Sequence, residues 1–149
     1  MPAYRTDVAT LDIPASWQDQ SIIAFRLPAA SGGVDASFVI TKDASKGVTP
    51  FEAYLDKQID NCRRSLPGYT EVKRERFEAN DRDCAWLEFD WNNDSTPIRI
   101  RQIYFDCGFF VTICTLTAAP GEIAYHEAEW RRAMASLTFD APAPAPAFP

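Results

Sequence analysis

Strands that are apolar on both faces constrain this chain more than any other feature. In residues 21–27, Ile23, Phe25 and Leu27 project to one side of an extended chain, and Ile22 and Ala24 to the other. Residues 108–117 repeat the pattern, with Phe109, Val111 and Ile113 on one face and Phe110, Cys114 and Leu116 on the other. An antiparallel sheet with one face in water alternates apolar and polar residues. A sheet made of these strands therefore needs cover on both faces, and the helical periodicity supplies only two helices. If both pack on one side, the other face calls for a partner. If they pack on opposite sides, the chain covers itself. The expectation carried forward is the first arrangement, an α+β fold in which one twisted antiparallel sheet holds both helices on one side.

The order along the chain is strands, helix, strands, helix, tail. Strands are predicted at residues 8–13, 21–27, 36–41, 70–79, 84–91, 98–105 and 109–117, separated by Gly, Pro, Asn and Asp turns. The first helix is expected to open at Thr49-Pro50, with Thr49 and Glu52 spaced as a capping box. Its apolar stripe is Phe51, Leu55, Ile59 and Cys62, and Leu66-Pro67-Gly68 stops it. The second helix spans residues 122–137, with Ile123, Trp130, Ala133, Met134 and Leu137 on its stripe. Residues 1–140 read as one domain. Residues 141–149 alternate Ala and Pro, a composition for an extended, disordered tail.

Several classes of function fall away. The chain carries 15 basic against 21 acidic residues, a net charge of −6, and no clustered basic patch of the kind that binds nucleic acid or anionic lipid. No run approaches the 18 or so apolar residues of a membrane span, and the first twelve residues hold no signal-peptide apolar region. Cys62, Cys84, Cys107 and Cys114 show no C-x-x-C spacing and read as reduced thiols in a cytoplasm, with Cys62 in the core. The one histidine, His126, reads as a solvated surface residue, and Glu127 beside it as the outer face of the second helix. Glu88 and Asp90 share a strand face and read as salt-bridge partners of Arg99 or Arg101 rather than as an acid–base pair. No catalytic constellation, metal site or cofactor is expected.

Two glutamines stand out instead. Gln58 lies in the apolar stripe of the first helix, and Gln102 on the strand face of Ile98, Ile100 and Tyr104. A polar group among apolar ones finds a hydrogen-bond partner or costs a few kcal/mol. Two readings stay open: bonding to neighbouring groups at a wet margin, or facing a guest whose polar groups need partners. Ser37 and Thr41, flanking Val39, have the same choice. An apolar groove with a few placed donors and acceptors suits a hydrophobic peptide or helix.

The segment Leu11-Asp12-Ile13-Pro14-Ala15-Ser16-Trp17-Gln18-Asp19-Gln20-Ser21 follows Tyr4 and precedes Phe25. Further on come Phe38-Val39-Ile40-Thr41-Lys42-Asp43, Leu66-Pro67-Gly68-Tyr69, Arg101-Gln102, Leu116-Thr117 and Trp130. In that order, over residues 4–139, this set resembles the DcrB-related family, and most closely its Eag branch, the effector-associated chaperones of type VI secretion. The resemblance implies a Mog1p/PsbP-like fold and a cytoplasmic homodimer. It implies binding of the N-terminal transmembrane segments of an effector that also carries a PAAR domain, without direct insertion into a membrane. The family's hydrophobic groove maps onto Ile22, Ala24, Val39, Leu66, Gln58 and Gln102, with Ser37 beside it. Ala24 is smaller than the aliphatic residue expected there. The alternative function is a non-enzymatic scaffold or regulatory module for a folded protein partner.

Overall fold

Eight strands, two α-helices and two short 3-10 helices make up the computed structural model, which describes residues 3–5, 9–18, 20–30 and 33–139. Strands β1 (Ala3–Arg5) and β2 (Thr10–Asp12) form a small antiparallel pair. The main sheet is antiparallel throughout. Its order is β3 (Ile23–Leu27), β4 (Ala36–Asp43), β8 (Val111–Ala118), β7 (Thr96–Asp106), β6 (Arg82–Asn93) and β5 (Thr70–Ala79). Helix α1 (Phe51–Ser65) joins β4 to β5, and α2 (Ile123–Ser136) follows β8. Strands β5 to β8 form a meander, as their spacing predicts. The predicted strand at 8–13 shortens to β2, and Val8 and the tail 141–149 lie outside the described residues.

Turn chemistry sets the meander. Asn80-Asp81 and Asp94-Ser95 all have positive φ, between 49° and 69°. Two consecutive positive-φ residues give the type I′ turn, whose twist matches that of the flanking strands. The first helix starts differently from the expectation. Pro50 is its N-cap and no side chain caps it, so the Thr49–Glu52 capping box does not form. The backbone N–H of Thr49 instead donates to the carbonyl of Lys46 at 3.0 Å, closing the turn before the helix.

The two helices lie on opposite faces of the sheet, which corrects the one-sided arrangement. Phe51, Tyr54, Leu55 and Ile59 of α1 cluster with Ala85, Leu87, Tyr104 and Val111. Ile123 and Trp130 of α2 cluster with Cys84, Ile103, Phe105, Cys114 and Leu116. Residues 84 and 85, or 103 and 104, are neighbours on one strand and so face opposite ways. Each face of the sheet thus has a helix of its own, but Ile22, Ile23 and Phe25 of the first two-sided segment and Phe109 of the second stay exposed. Phe105 is buried, and Phe110 is half-buried beneath Lys42, whose ammonium sits 4.4 Å from the ring centroid.

A buried guanidinium pins α2 to the sheet. Arg101 lies between the rings of Trp86 and Trp130, 4.7 and 4.5 Å from their centroids. Its Nε donates to Glu88 Oε1 at 2.8 Å, and Nη1 donates to Glu127 Oε2 of α2. Glu88 also accepts from the Trp86 indole at 3.0 Å, while Asp90 takes Arg99 through two bonds of 2.8 and 2.9 Å. The carboxylates thus serve as ion-pair partners. Glu127 is no bystander on an outer face: it is half-buried and bridges Arg101 and Arg131. His126 is only 3% exposed, so the solvated reading is also corrected. The helix turns both residues toward the sheet because Ile123, His126, Glu127 and Trp130 share one face at helical spacing.

Burial pushes the Glu127 carboxyl up, but the hydrogen bond and charge of Arg101 and the charge of Arg131 outweigh it, and the net effect is below the usual carboxylate value. A carboxylate lowered in the folded state stabilises fully above its unfolded value, about 4.3 for Glu, and loses that contribution as pH falls through the folded value. Glu127→Gln should therefore have a lower Tm than the parent at pH 7, and the gap should narrow below about pH 4. Thermal unfolding followed by circular dichroism across pH 3–7 checks this; a gap that widens in acid contradicts it.

Candidate functional site

The α1 face of the sheet is only half covered. Sheet register aligns Ala24, Val39, Thr115, Gln102 and Leu87 in one row across β3, β4, β8, β7 and β6. The neighbouring row is Arg26, Ser37, Thr117, Ile100 and Phe89. Leu87, at the α1 end of its row, is buried; Gln102, Thr115 and Val39 are half-buried; Ala24 is exposed. Ile22, 64% exposed, precedes β3 and joins Thr41, Asp43 and Gln20 around an open cavity of about 810 Å³. Gln58 and Leu66 belong to α1 and its C-cap and are half-buried. Gln58 lines a smaller cavity of about 220 Å³ with Lys46, Tyr54 and Asn61, and Ser45 borders both cavities. The strand residues Ala24, Ser37, Val39 and Gln102 share this face, while Gln58 lines the separate cavity beside Tyr54 and Leu66 is the C-cap of α1.

Gln102 has partners. Tyr104 Oη donates to its Oε1 at 2.7 Å, and its Nε2 donates to Thr115 Oγ1 at 3.4 Å. A carboxamide nitrogen carries two N–H groups, so donor capacity remains. Tyr104 packs edge-on against Tyr54 with centroids 6.2 Å apart, and Tyr54 Oη donates to Asp43 Oδ2 at 2.6 Å. A run of polar groups, Asp43, Tyr54, Tyr104, Gln102 and Thr115, thus follows the margin where α1 meets the open part of the sheet. Sequence reasoning missed Tyr54, Tyr104 and Thr115 as its members. The alternation of Gln102 with Tyr104 on β7 was the available signal, but the Asp43 contact joins β4 to α1 and has no local signature.

Burial pushes the hydroxyls of Tyr54 and Tyr104 well above the usual tyrosine range, with the hydrogen bond to Asp43 adding to the effect at Tyr54. Both stay protonated donors. Burial tends to raise the Asp43 carboxyl, yet bonds from Ser45 and Tyr54 bring it below its ordinary value. Cys84 and Cys114 are pushed up by burial to about 11 and about 12, and Cys62 upward as well. These are thiols with little thiolate character, and all four cysteines are unpaired. Among the described residues, no three His, Cys, Asp or Glu side chains gather to hold a metal ion, and no helix is long and apolar enough to cross a membrane.

The two edges of the sheet differ in chemistry. Strand β5 is almost wholly exposed and alternates charge through Glu71, Lys73, Arg74, Glu75, Arg76 and Glu78. A charged edge resists pairing with another sheet. Strand β3 carries one charge, Arg26, and exposes Ile23 (52%) and Phe25 (56%).

Known proteins match this chain over nearly its whole length. The family model described as DcrB matches residues 9–136. The chain belongs to the DcrB family. It is 38% identical over 146 residues to a Pseudomonas aeruginosa protein named Effector EagT6, covering 98% of this chain and 99% of that one. The crystal structure of PA94 from Pseudomonas aeruginosa superposes with a TM-score of 0.86 at 37% identity, covering 95% of this chain and 99% of that chain. The opening and helix-end motifs that resemble the Eag branch lie inside these matched regions.

The α1 anchor gives a direct test of how this face is held. Tyr54→Phe deletes the bond to Asp43 and keeps the ring contact with Tyr104. A hydrogen bond to a charged group contributes about 1.5–3 kcal/mol, so urea unfolding should show a loss of that order, reduced by the partial exposure of Asp43. An unchanged midpoint would mean the bond does not tie α1 to β4.

Proposed function

We propose that this protein is an effector-associated chaperone of type VI secretion. Residues 1–140 act as one unit that binds the N-terminal transmembrane segments of an effector also carrying a PAAR domain, and shields them from water before loading on the spike. It acts in the cytoplasm, as a homodimer, without catalysis and without a cofactor. The observation that carries the reading is the half-covered row Ala24, Val39, Thr115 and Gln102 beside α1. Identity of 38% to the protein named Effector EagT6 supports the secretion context.

The physics favours such a guest. A transmembrane helix of about 20 apolar residues exposed in water aggregates unless something covers it. Apolar and small side chains on a sheet face, flanked by a helix, replace part of the missing lipid. Small and polar guest residues such as Gly, Ser and Thr pack closely and hydrogen-bond across helix interfaces. Gln102 and Gln58 supply donors and acceptors for them, and Ser37 supplies a hydroxyl. The groove on this reading is Ile22, Ala24, Ser37, Val39, Gln58, Leu66 and Gln102.

Replacing Gln102 by Glu tests the groove. A carboxylate set against a transmembrane segment loses hydration without gaining a cation, at a cost of several kcal/mol. The free protein should tolerate it, because Tyr104 Oη can donate to a carboxylate oxygen in the same place. Coexpression with the N-terminal transmembrane region of a PAAR-containing effector that the parent chain copurifies should give no copurified segment from Gln102→Glu and a normal yield from Glu129→Ala, an exposed position on α2. A folded Gln102→Glu protein that still holds the segment would falsify the groove assignment.

The apolar β3 edge supports the dimer. Ile23 and Phe25 of β3, and Ile22 just before it, are more than half exposed, and among the described residues β3 has one unpaired side. Light scattering of the free protein at micromolar concentration should give about twice the 16.7 kDa of one chain. A monomer mass there removes the dimer from the proposal while leaving guest binding to be judged by the pulldown.

A further inference from the structure

On the α1 face, strands β3, β4, β7 and β8 carry charge only at the two ends. Asp43 and Asp106 share one end row, both opposite Val111. Arg26 shares the other with Ser37, Thr117 and Ile100. Between these rows β4, β7 and β8 present only Val39, Thr41, Gln102, Tyr104, Ile113 and Thr115 on this face. From Asp43 to Ser37 the floor runs about 20 Å, the length of about 13 helical residues.

The ends differ in sign. Lys46 lies 3.7 Å from Asp106 and donates to the Gly108 carbonyl, so it answers one of the two carboxylates. Asp43 accepts only from uncharged donors, the Tyr54 hydroxyl and the Ser45 N–H, and it borders the open cavity beside Ile22 and Thr41. Its neighbour Lys42 alternates to the opposite side, over the Phe110 ring. That end therefore keeps a negative charge. At the other end the Arg26 side chain is 83% exposed, and its Nε lies 3.6 Å from Asp35 Oδ2. A guanidinium carries five N–H donors and no acceptor.

We propose that the groove seats its guest helix in one direction, with the N-terminus at Asp43 and the C-terminus at Arg26. The inference rests on the guest-binding reading and adds an orientation to it. A helix leaves free N–H groups and partial positive charge at its first turn, and free carbonyls and partial negative charge at its last. Asp43 accepts from the first turn, and Arg26 donates to the last. Helix α1 already lies this way on the same face. Tyr54, one turn into it, bonds Asp43, and beyond its end Tyr69 packs 5.0 Å from Phe89, which belongs to the Arg26 row. The parallel dipoles repel weakly, because end effects are screened at a wet margin. The guest class follows: an apolar segment with Lys or Arg ahead of its first turn rather than after its last.

Photo-crosslinking reads the direction. The probe is a Leu-Ala segment of about 20 residues with central serines and uncharged flanks, fused to maltose-binding protein and coexpressed with the full chain. A benzoylphenylalanine stands at its N-terminal flank in one version and its C-terminal flank in another. The N-terminal label should attach to residues 41–45 in preference to 35–37, and the C-terminal label the reverse, by about fivefold, the size that two end-charge interactions together supply. Arg26→Glu, at an exposed position, should bring that ratio toward one with an unchanged circular dichroism spectrum. Equal or reversed labelling in the parent chain overturns the orientation and leaves guest binding standing. A ratio that survives Arg26→Glu overturns the role of charge in setting it. Labels on α2 or β5, or no capture of the probe at all, remove the groove reading and this inference with it.

Discussion

The Arg101 guanidinium is the interaction on which the arrangement of this molecule depends. It sits inside, between two tryptophan rings, with one carboxylate from its own sheet and one from α2. A buried charge of this kind is tolerable only when its partners are all in place, and removing one partner is far costlier than the pair is favourable. It therefore fixes α2 in one position rather than merely attracting it. With α2 committed to that face, α1 is the element left to cover the other, and a single fifteen-residue helix cannot span six strands. The exposed half of the α1 face follows from that shortage.

Much of this was legible in the sequence, and the reasons are local. The β5–β8 meander reads directly from alternating residues between Asn-Asp and Asp-Ser turns, because turn chemistry acts within four residues. The helix stripes read equally well. The side on which each helix packs did not, because it depends on which strand face presents Cys84 rather than Ala85 to it, a parity that composition does not express. His126 and Glu127 were misjudged for the same reason. Polar side chains look solvated until the helix is rotated by its neighbours, here by Trp130 on Arg101. Ser37 and Val39 alternate at period two on one strand, so their common face was visible from residue numbers, whereas Ala24 and Gln102 join it only through the register between strands. The bonds of Gln102 to Tyr104 and Thr115 lie between these extremes: one partner is two residues away on the same strand, the other is brought in by register.

The two faces of the sheet divide the chemistry between them. One side joins ion pairs and the edge-on indoles of Trp86 and Trp130 around α2. The other combines small and aliphatic side chains with hydroxyls and carboxamides, with Asp43 and Arg26 as charged groups at its margin. Charge is concentrated on the first side, while on the second it is confined to the margin of a mostly apolar and uncharged polar surface. The same division appears at the edges, where β5 is guarded by charge and β3 is not.

The order in which the strands are joined has a consequence for how the molecule opens. The meander is built from neighbours in sequence and closes through short turns, so each hairpin re-forms quickly after a fluctuation. Strands β3 and β4 attach to it through one long-range seam, which pairs Asp43 with Val111 and Ser37 with Thr117. Closing that seam requires ordering a large loop that contains all of α1 and the hairpin strands, an entropic cost the hairpins do not bear. The β3–β4 unit is then the part of the sheet that forms last and parts first. The exposed residues ride on it, so whatever binds there also closes the seam, and occupancy and local folding become one equilibrium.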